Sequence, residues 1–151
     1  MASRVVIKLG GGLITDKGSM KKFDSDSMER VADSISSVVE MGVPIVLVHG
    51  AGSFGHLLAK EWSISEGVDQ KIAEEQRMIV DEIRSDMREL NGLVIDKLAD
   101  SELESEGLPP SEWAIGTGSD FQGDITNFER VVEAPIPITF GDVVNTNDRL
   151  E

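Results

Sequence analysis

The chain has 151 residues, of which 14 are Lys or Arg and 28 are Asp or Glu, so its formal net charge is −14. This length is typical of one domain, and a content of 40% apolar residues is ordinary for a chain that folds around a core. The acidic balance argues against general DNA or RNA binding, which depends mainly on Lys and Arg at phosphates. The absence of cysteine excludes a disulfide framework, a thiolate metal site and a cysteine nucleophile.

The N-terminus has no signal-peptide pattern, and no apolar run reaches the ~20 residues of a membrane span. We therefore expect a cytoplasmic protein that binds neither membranes nor nucleic acid. The charge is unevenly distributed, because residues 1–23 contain five basic side chains and one acid, Asp16. This basic segment indicates either a local anion site or a chance cluster of surface lysines.

The first elements alternate between a strand and a helix. Residues 4–9 are rich in β-branched side chains and predict a buried strand, which runs into the glycines at 10–12. From Asp24 onward, apolar residues recur at three- and four-residue spacing, which predicts a helix that ends near Gly42. Asp26 followed three residues later by a glutamate suggests its capping arrangement.

The middle of the chain repeats this order. Residues 43–48 predict a second buried strand, which is followed by the glycine-rich segment 50–55 and a short helix at 57–61. A helical pattern then extends over residues 70–99, and Asn91-Gly92 interrupts it, so one kinked helix and two helices are both possible.

The last third predicts weaker elements. A short strand is expected at 113–115, a polar loop at 116–123, a short helix within 124–132 and a final strand at 137–140. Strands that alternate with helices indicate an α/β fold with a largely parallel sheet. Because the chain ends in a polar stretch soon after a strand, we expect it to be the front part of a longer protein.

Two predicted strands end in glycine-rich loops, at 10–12 and at 50–55. Glycine lets backbone N–H groups approach a ligand, and a helix start behind such a loop favours anions, although one loop alone can also be a simple turn. Two such loops favour a ligand with more than one phosphate. The second loop matches G-x-G-x-x-G, but a helical pattern follows where a dinucleotide fold needs a strand, so a nicotinamide or flavin site is not expected.

Cationic side chains near the two loops are the candidate catalytic groups. His56 follows the second glycine loop at the predicted helix start, where its ring can meet a phosphate oxygen, whereas His49 is interpreted as a structural hydrogen-bonding residue. Lys8 stands at the exit of the first strand and Lys17 in the next loop. Phosphoryl transfer needs such cations around the migrating group. Lysines 21 and 22 are interpreted as surface charge.

Two segments resemble the amino acid kinase superfamily, and within it the isopentenyl phosphate kinases and their fosfomycin-kinase relatives. They are residues 8–17, which read KLGGGLITDK, and residues 48–56, which read VHGAGSFGH. The segments at 87–91, 109–111 and 140–143 occur in the order that this family has. The resemblance covers essentially the whole chain but only the front half of a family member.

The resemblance implies a three-layer sandwich with a largely parallel central sheet, truncated after the substrate-binding half. Residues 1–151 would form the substrate- and phosphate-binding part, and the nucleotide-binding part would be absent. The implied reaction is phosphorylation of isopentenyl phosphate by ATP, with Mg²⁺, in the alternative mevalonate route of isoprenoid biosynthesis. The resemblance also implies a homodimer. This piece alone would be inactive, because it lacks the region that holds adenine and ribose.

The resemblance also assigns roles to individual residues. Lys8 and Lys17 would stabilise the transferred phosphoryl group, and the implied ATP phosphate-binding residues also include Gly10, Gly11 and Gly12. His56 would hold the substrate phosphate, with the adjoining loop residues Ala51, Gly52, Ser53 and Gly55. An apolar tail would lie against Ile83 and Met87, for which an ordinary core role is equally open, and Asp142 would border the substrate site. No metal-ligating residue is predicted.

Two positions depart from the family pattern. Gly12 stands where the family usually has serine, which removes one hydroxyl from the phosphate site. Ala51 stands where the family often has glycine, and its methyl group is tolerable only if φ is negative. Two alternatives stay open: another kinase of the superfamily that acts on fosfomycin or a similar small phosphonate, and a non-catalytic anion-binding module.

Overall fold

The computed structural model describes residues 3–146. Its centre is a four-stranded sheet in the order β1, β2, β6, β3, and every neighbouring pair is parallel. These strands are β1 (Val5–Leu9), β2 (Ile45–His49), β3 (Ser105–Gly107) and β6 (Ile136–Phe140). The parallel central sheet, with helices between successive strands, confirms the predicted α/β fold.

Within residues 3–146, five α-helices connect or flank the strands. They are α1 (Gly11–Ile14), α2 (Ser25–Glu40), α3 (Gly52–Glu61), α4 (Ala73–Asp100) and α5 (Pro110–Trp113). A small antiparallel pair, β4 (Ala114–Ile115) with β5 (Gln122–Gly123), lies outside the main sheet. None of the helices within residues 3–146 has the length and apolar character needed to cross a membrane.

One face of the sheet and three helices enclose the hydrophobic core. Side chains alternate between the two faces of a strand, so Leu9, Leu47 and Ile138 point to the same side. They are buried in one cluster with residues of α2, α3 and α4, namely Met28, Ala32, Ile35, Phe54, Val80, Leu90, Val94 and Leu98. The apolar spacing seen in the sequence thus corresponds to the buried faces of these helices.

Helix α2 begins with a different cap from the one predicted but ends where the sequence predicts. Asp24, and not the Asp26 arrangement, caps the helix, because its carboxylate accepts a hydrogen bond from Ser27 N at 2.9 Å. That bond and a second from the Ser27 hydroxyl hold the pKa of Asp24 below its usual value. The helix ends as predicted before Gly42, which adopts φ +76°.

Helix α4 is continuous through Asn91-Gly92, where the sequence left an interruption open. Asn91 is buried, and its Oδ1 lies 3.2 Å from Nε2 of His49 on β2. The asparagine therefore has a tertiary hydrogen bond that keeps it inside the helix, instead of the local turn that asparagine and glycine usually favour.

Strand β1 is less buried than the sequence predicts. Val6 is 63% exposed, because β1 has a sheet partner, β2, on one side only. Strand β2, which lies between β1 and β6, is buried as predicted. A continuous β-branched run therefore identified the strand correctly but not its position at the edge of the described sheet.

The last third of the chain differs most from expectation. Residues 113–115 divide between the end of α5 and β4, and the helix expected within 124–132 is a single 3-10 turn at Thr126–Phe128. Strand β3 was not predicted, because its sequence Ser-Glu-Gly has no apolar residue. It becomes a strand by pairing with Ile136, Pro137 and Ile138 of β6.

Candidate functional site

The two glycine loops meet backbone to backbone at one end of the sheet. Strands β1 and β2 pair in parallel up to Leu9 and His49, so the loops that follow them lie side by side, and Gly50 N donates to Leu9 O at 2.9 Å. A Cβ atom at Gly50 would lie 2.7 Å from Gly11 N, and one at Gly11 would overlap Gly52 N. The contact between the loops therefore requires these glycines, whether or not a ligand also requires them.

The Thr15 hydroxyl links the two loops by hydrogen bonds. It is 2% exposed, and its hydroxyl donates to Gly11 O at 2.7 Å and accepts from Ser53 N at 3.0 Å. A Cβ at Gly52, where φ is +50°, would overlap the same hydroxyl. Sequence reasoning missed this residue, although a threonine directly after an apolar pair in a glycine-rich segment is a candidate for such a buried bond.

A cavity of about 430 Å³ opens where the loops meet. Lys17, from the segment after β1, and His56, from α3, contribute its two basic side chains, and the remaining lining residues are Gly11, Gly12, Ala51, Gly52, Ser53 and Leu57. The structure thus brings together seven of the residues that the sequence proposed. Leu57 was not proposed, and it supplies an apolar wall beside His56.

The first residues of two helices also face this region. Gly11 and Gly12 are the first two residues of α1, and Gly52 is the first residue of α3. Backbone N–H groups at the start of a helix have no acceptor within the helix, and they carry its positive dipole end. The Lys17 ammonium, the N–H donor of the His56 ring and these helix starts make the cavity suited to anionic groups.

Lys8 and Gly10 lie outside this cavity. Lys8 is exposed, one residue before the end of β1, and strand alternation places it on the sheet face opposite Leu9. Gly10 is the residue before α1, and its carbonyl accepts from Leu13 N at 2.9 Å. Lys8 is not among the residues that line the space shared by Lys17 and His56.

Gly55, Ile83 and Met87 form a layer behind the cavity. Ile83 and Met87 are 3% and 0% exposed and belong to the hydrophobic core. A Cβ at Gly55 would lie 3.0 Å from the Met87 sulfur, so the glycine lets α3 approach α4 closely. Of the two roles that the sequence left open for Ile83 and Met87, the structure shows the core role.

Asp142 lies next to the second loop without lining the cavity. Its carboxylate accepts from Ser111 N at 2.9 Å and from Val143 N at 3.0 Å. The preceding residue, Gly141, donates its N–H to His49 O at 3.0 Å. Asp142 therefore joins the start of α5 to the end of β6 in this structure.

The structure accounts for both departures from the family pattern. Ala51 has φ −79°, so its methyl group is unstrained. A Cβ at Gly12 would overlap the terminal carbons of Lys17, which shows that this lysine lies across the glycine.

Helix α3 begins at Gly52 and not near Leu57 as predicted, so His56 lies one turn inside the helix.

His49 has the structural role that the sequence favoured. It is buried, stacks on Phe140 with ring centroids 5.1 Å apart, and lies within hydrogen-bond distance of Gly50 O and Asn91 Oδ1. Burial lowers the pKa of its imidazole, and the two hydrogen bonds oppose this shift only in part. The buried ring therefore supports the second loop from beneath.

Within residues 3–146 there is no group of three or more His, Asp or Glu side chains that could hold a metal ion. These residues do not form a cage of protein ligands for Mg²⁺. Mg²⁺ usually keeps several waters and binds through one or two carboxylates together with phosphates, so it does not depend on such a cage.

Comparison of the chain with known proteins identifies relatives both by sequence and by structure. Isopentenyl phosphate kinase of Methanothermobacter thermautotrophicus is 30% identical over 149 residues, which cover 96% of this chain and 55% of the relative. The enzyme of the same name from Methanocaldococcus jannaschii is 28% identical over 92% of this chain and 55% of the relative. A crystal structure of an isopentenyl phosphate kinase matches 97% of this chain and 59% of its own with a TM-score of 0.86 at 29% identity.

The chain thus spans somewhat more than half the length of these relatives. The model of the amino acid kinase family matches residues 3–150, which include both glycine loops and every side chain of the cavity. The chain therefore belongs to the amino acid kinase family.

Proposed function

We propose that this chain forms the substrate- and phosphate-binding half of a kinase that transfers the γ-phosphoryl group of ATP to isopentenyl phosphate. The observation that carries the proposal is the convergence of Lys17 and His56, from separate segments, on one cavity that also contains the glycine backbones of two loops. The names of the relatives support the choice of substrate. The resemblance further supports a cytoplasmic homodimer.

His56 is the residue that we assign to the substrate phosphate. Its side chain is exposed at the cavity and can donate an N–H to a phosphate oxygen. Leu57 lies beside it and offers an apolar surface to the start of a hydrocarbon tail. Because Ile83 and Met87 are fully packed in the core, a tail that reached them would require a shift of α3 against α4.

Lys17 is the residue that we assign to the phosphoryl group in transfer. Its ammonium is a compact cation on a flexible stem, and such a group stabilises charge on the equatorial oxygens of the migrating phosphoryl. The N–H groups at the start of α1 would bind the neighbouring nucleotide phosphates. Lys8 stands just before this turn, and we propose that it contacts the same phosphates from the exposed side of β1.

Binding can be measured on the 151-residue chain itself. Titration with isopentenyl phosphate, followed by amide NMR, is expected to move the signals of Gly12, Gly52 and His56 together. His56→Asn should weaken this binding by at least about tenfold, since a charge-assisted contact is lost. The removal of Lys60, an exposed lysine at the far end of α3, is the matched control. Unchanged spectra at millimolar ligand would contradict the proposal.

Turnover requires the part of the relatives that this chain does not cover. We expect no ADP production from the 151-residue chain alone. A fusion of the chain to the remaining segment of the 30% identical relative should produce ADP when isopentenyl phosphate is added, and Lys17→Ala should abolish this production. ADP production by the chain alone would disprove the division into two halves.

The same fusion separates the alternatives. An acceptor panel of isopentenyl phosphate, fosfomycin and inorganic phosphate distinguishes the proposed kinase from one that acts on phosphonates. A fusion that folds and binds isopentenyl phosphate, but turns over none of these acceptors, would identify a non-catalytic anion-binding module.

A further inference from the structure

The segment that carries Lys17 is a short loop between α1 and α2. Its ends are joined by an antiparallel bridge between Thr15 and Phe23 and by a hydrogen bond from Asp16 N to Lys22 O at 2.8 Å. Lys17 and Gly18 lie at the exposed tip. These bonds close the loop on itself, but they do not determine how it sits against the rest of the molecule.

Lys21 attaches the loop to α4. Its ammonium lies 2.9 Å from Asp86 Oδ1 and 2.7 Å from Glu89 Oε2, two carboxylates that are three residues apart on one face of the helix. Its backbone N–H donates to Ser53 O at 3.0 Å, at the edge of the cavity. Lys21 also adopts φ +52°, a conformation that residues other than glycine rarely adopt and that needs support from surrounding contacts.

This cluster differs from an ordinary surface ion pair. Asp86 is only 8% exposed, so its carboxylate has little water to replace a lost partner. Hydrogen bonds to Glu89 and Asp86 raise the pKa of Lys21 above its ordinary value, so the cation persists through the neutral range. The side chain of Lys22, the next residue, instead pairs with Asp16 of the same loop at 3.5 Å, and only its backbone N–H reaches another element, where it donates to the Ser53 hydroxyl at 3.3 Å.

The geometry points to Lys21 as a positioning residue: its contacts with Asp86 and Glu89 hold the loop on α4 and thereby direct Lys17 into the phosphate cavity. The same turn of α4 carries Met87, which packs behind Gly55. The same segment of α4 thus contacts both elements that reach the cavity, namely the loop that carries Lys17 and the helix α3 that carries His56. The effect on ligand binding rests on the proposed function, whereas the effect on the loop does not.

Hydrogen exchange of the unliganded chain tests the attachment. In Lys21→Met, which keeps the apolar stem, the amides of Lys21 and Asp16 should exchange about tenfold faster, while amides of β2 keep their rates. Lys22→Met is the matched control and should leave both rates unchanged, and Lys21→Arg should restore them. If Lys21→Met does not fold, Glu89→Gln takes its place. Equal exchange in the wild type and the folded variant would overturn the inference.

A double-mutant cycle, in which the affinity for isopentenyl phosphate is measured, tests whether Lys21 acts through Lys17. Lys21→Met should weaken binding several-fold in the wild-type background and have no further effect in Lys17→Met. An equal loss in both backgrounds would show that Lys21 acts independently of Lys17 and would overturn its positioning role. If the wild type does not bind the ligand but the exchange result holds, the proposed function fails while the loop attachment stands.

Discussion

The two glycine loops look alike in sequence but are supported in different ways. In the loop after β2, Ser53, Phe54 and Gly55 are buried, with Met87 directly behind them. In the loop after β1, Gly10, Gly12 and Leu13 are exposed, and the support comes from the other loop, from Thr15 and from Ile14, which is buried in the core. The second loop is therefore itself part of the core, whereas the first is anchored to the core at its far end and rests on the second loop.

The largest effect is expected where the loops touch. Gly52→Ala combines φ +50° with an overlap of Thr15 Oγ1, so we expect a loss of at least about 2 kcal/mol in the free energy of unfolding. Gly42→Ala is the control, because it has φ +76° but no neighbour within 4 Å, and it should cost only about 1–2 kcal/mol. Denaturant unfolding of both variants measures the difference. Equal losses would show that the loops are not in close contact.

Removal of the Thr15 hydroxyl should have the next largest effect. Thr15→Val keeps the shape but leaves Gly11 O and Ser53 N without this partner, which should cost about 1–3 kcal/mol of unfolding free energy. Thr15→Ser retains the hydroxyl and should lose less of the unfolding free energy than Thr15→Val. A valine variant as stable as the wild type would show that the first loop does not depend on this bond.

His49, which lies beneath the second loop, should make the free energy of unfolding depend on pH. Because burial depresses the pKa of His49, the unfolded chain takes up a proton more readily, so stability is highest above the ordinary value of 6.5 and falls as pH decreases through it. Each full unit of pKa difference corresponds to about 1.4 kcal/mol. Unfolding between pH 5.5 and 8, compared with a His49→Gln variant, measures this slope. An identical slope in the variant would remove His49 as its source.

The smallest effect on stability is expected at Gly12, in the exposed loop. Gly12→Ala would displace only the flexible end of Lys17, so the unfolding free energy should change by less than about 0.5 kcal/mol. Binding of isopentenyl phosphate should nevertheless weaken several-fold, because the displaced ammonium is the one that faces the cavity. Calorimetric titration measures this loss, and unchanged affinity would show that Lys17 does not need to lie across the glycine.

Sequence patterns predicted the elements that depend on local chemistry. The apolar spacing of α2 and α4, the buried run of β2 and the glycine loops all follow from residues that are close in the chain. The resemblance to the family assigned Lys17 and His56 to neighbouring phosphates, and the structure brings both side chains to one cavity.

Features that depend on distant residues could not be predicted in this way. Strand β3 exists because β6 pairs with it, and α4 continues through Asn91 because His49 bonds to it. Lysine 21 looked like surface charge, since its partners Asp86 and Glu89 lie more than sixty positions away. The sequence motif assigned Lys8 to the phosphates but did not show that strand alternation places it on the face of β1 opposite Leu9, outside the cavity lining.

A Cβ atom at Gly55 would lie 3.0 Å from the Met87 sulfur, and this close fit has an evolutionary consequence. The two sites are matched in size, so a chain in which the methionine is replaced by a smaller side chain gains room for alanine at position 55. We therefore expect the two sites to covary among descendants of this sequence, although 32 residues separate them. Drift at one site would then change the packing of α3 against α4 through the other, without any change in a residue that lines the cavity.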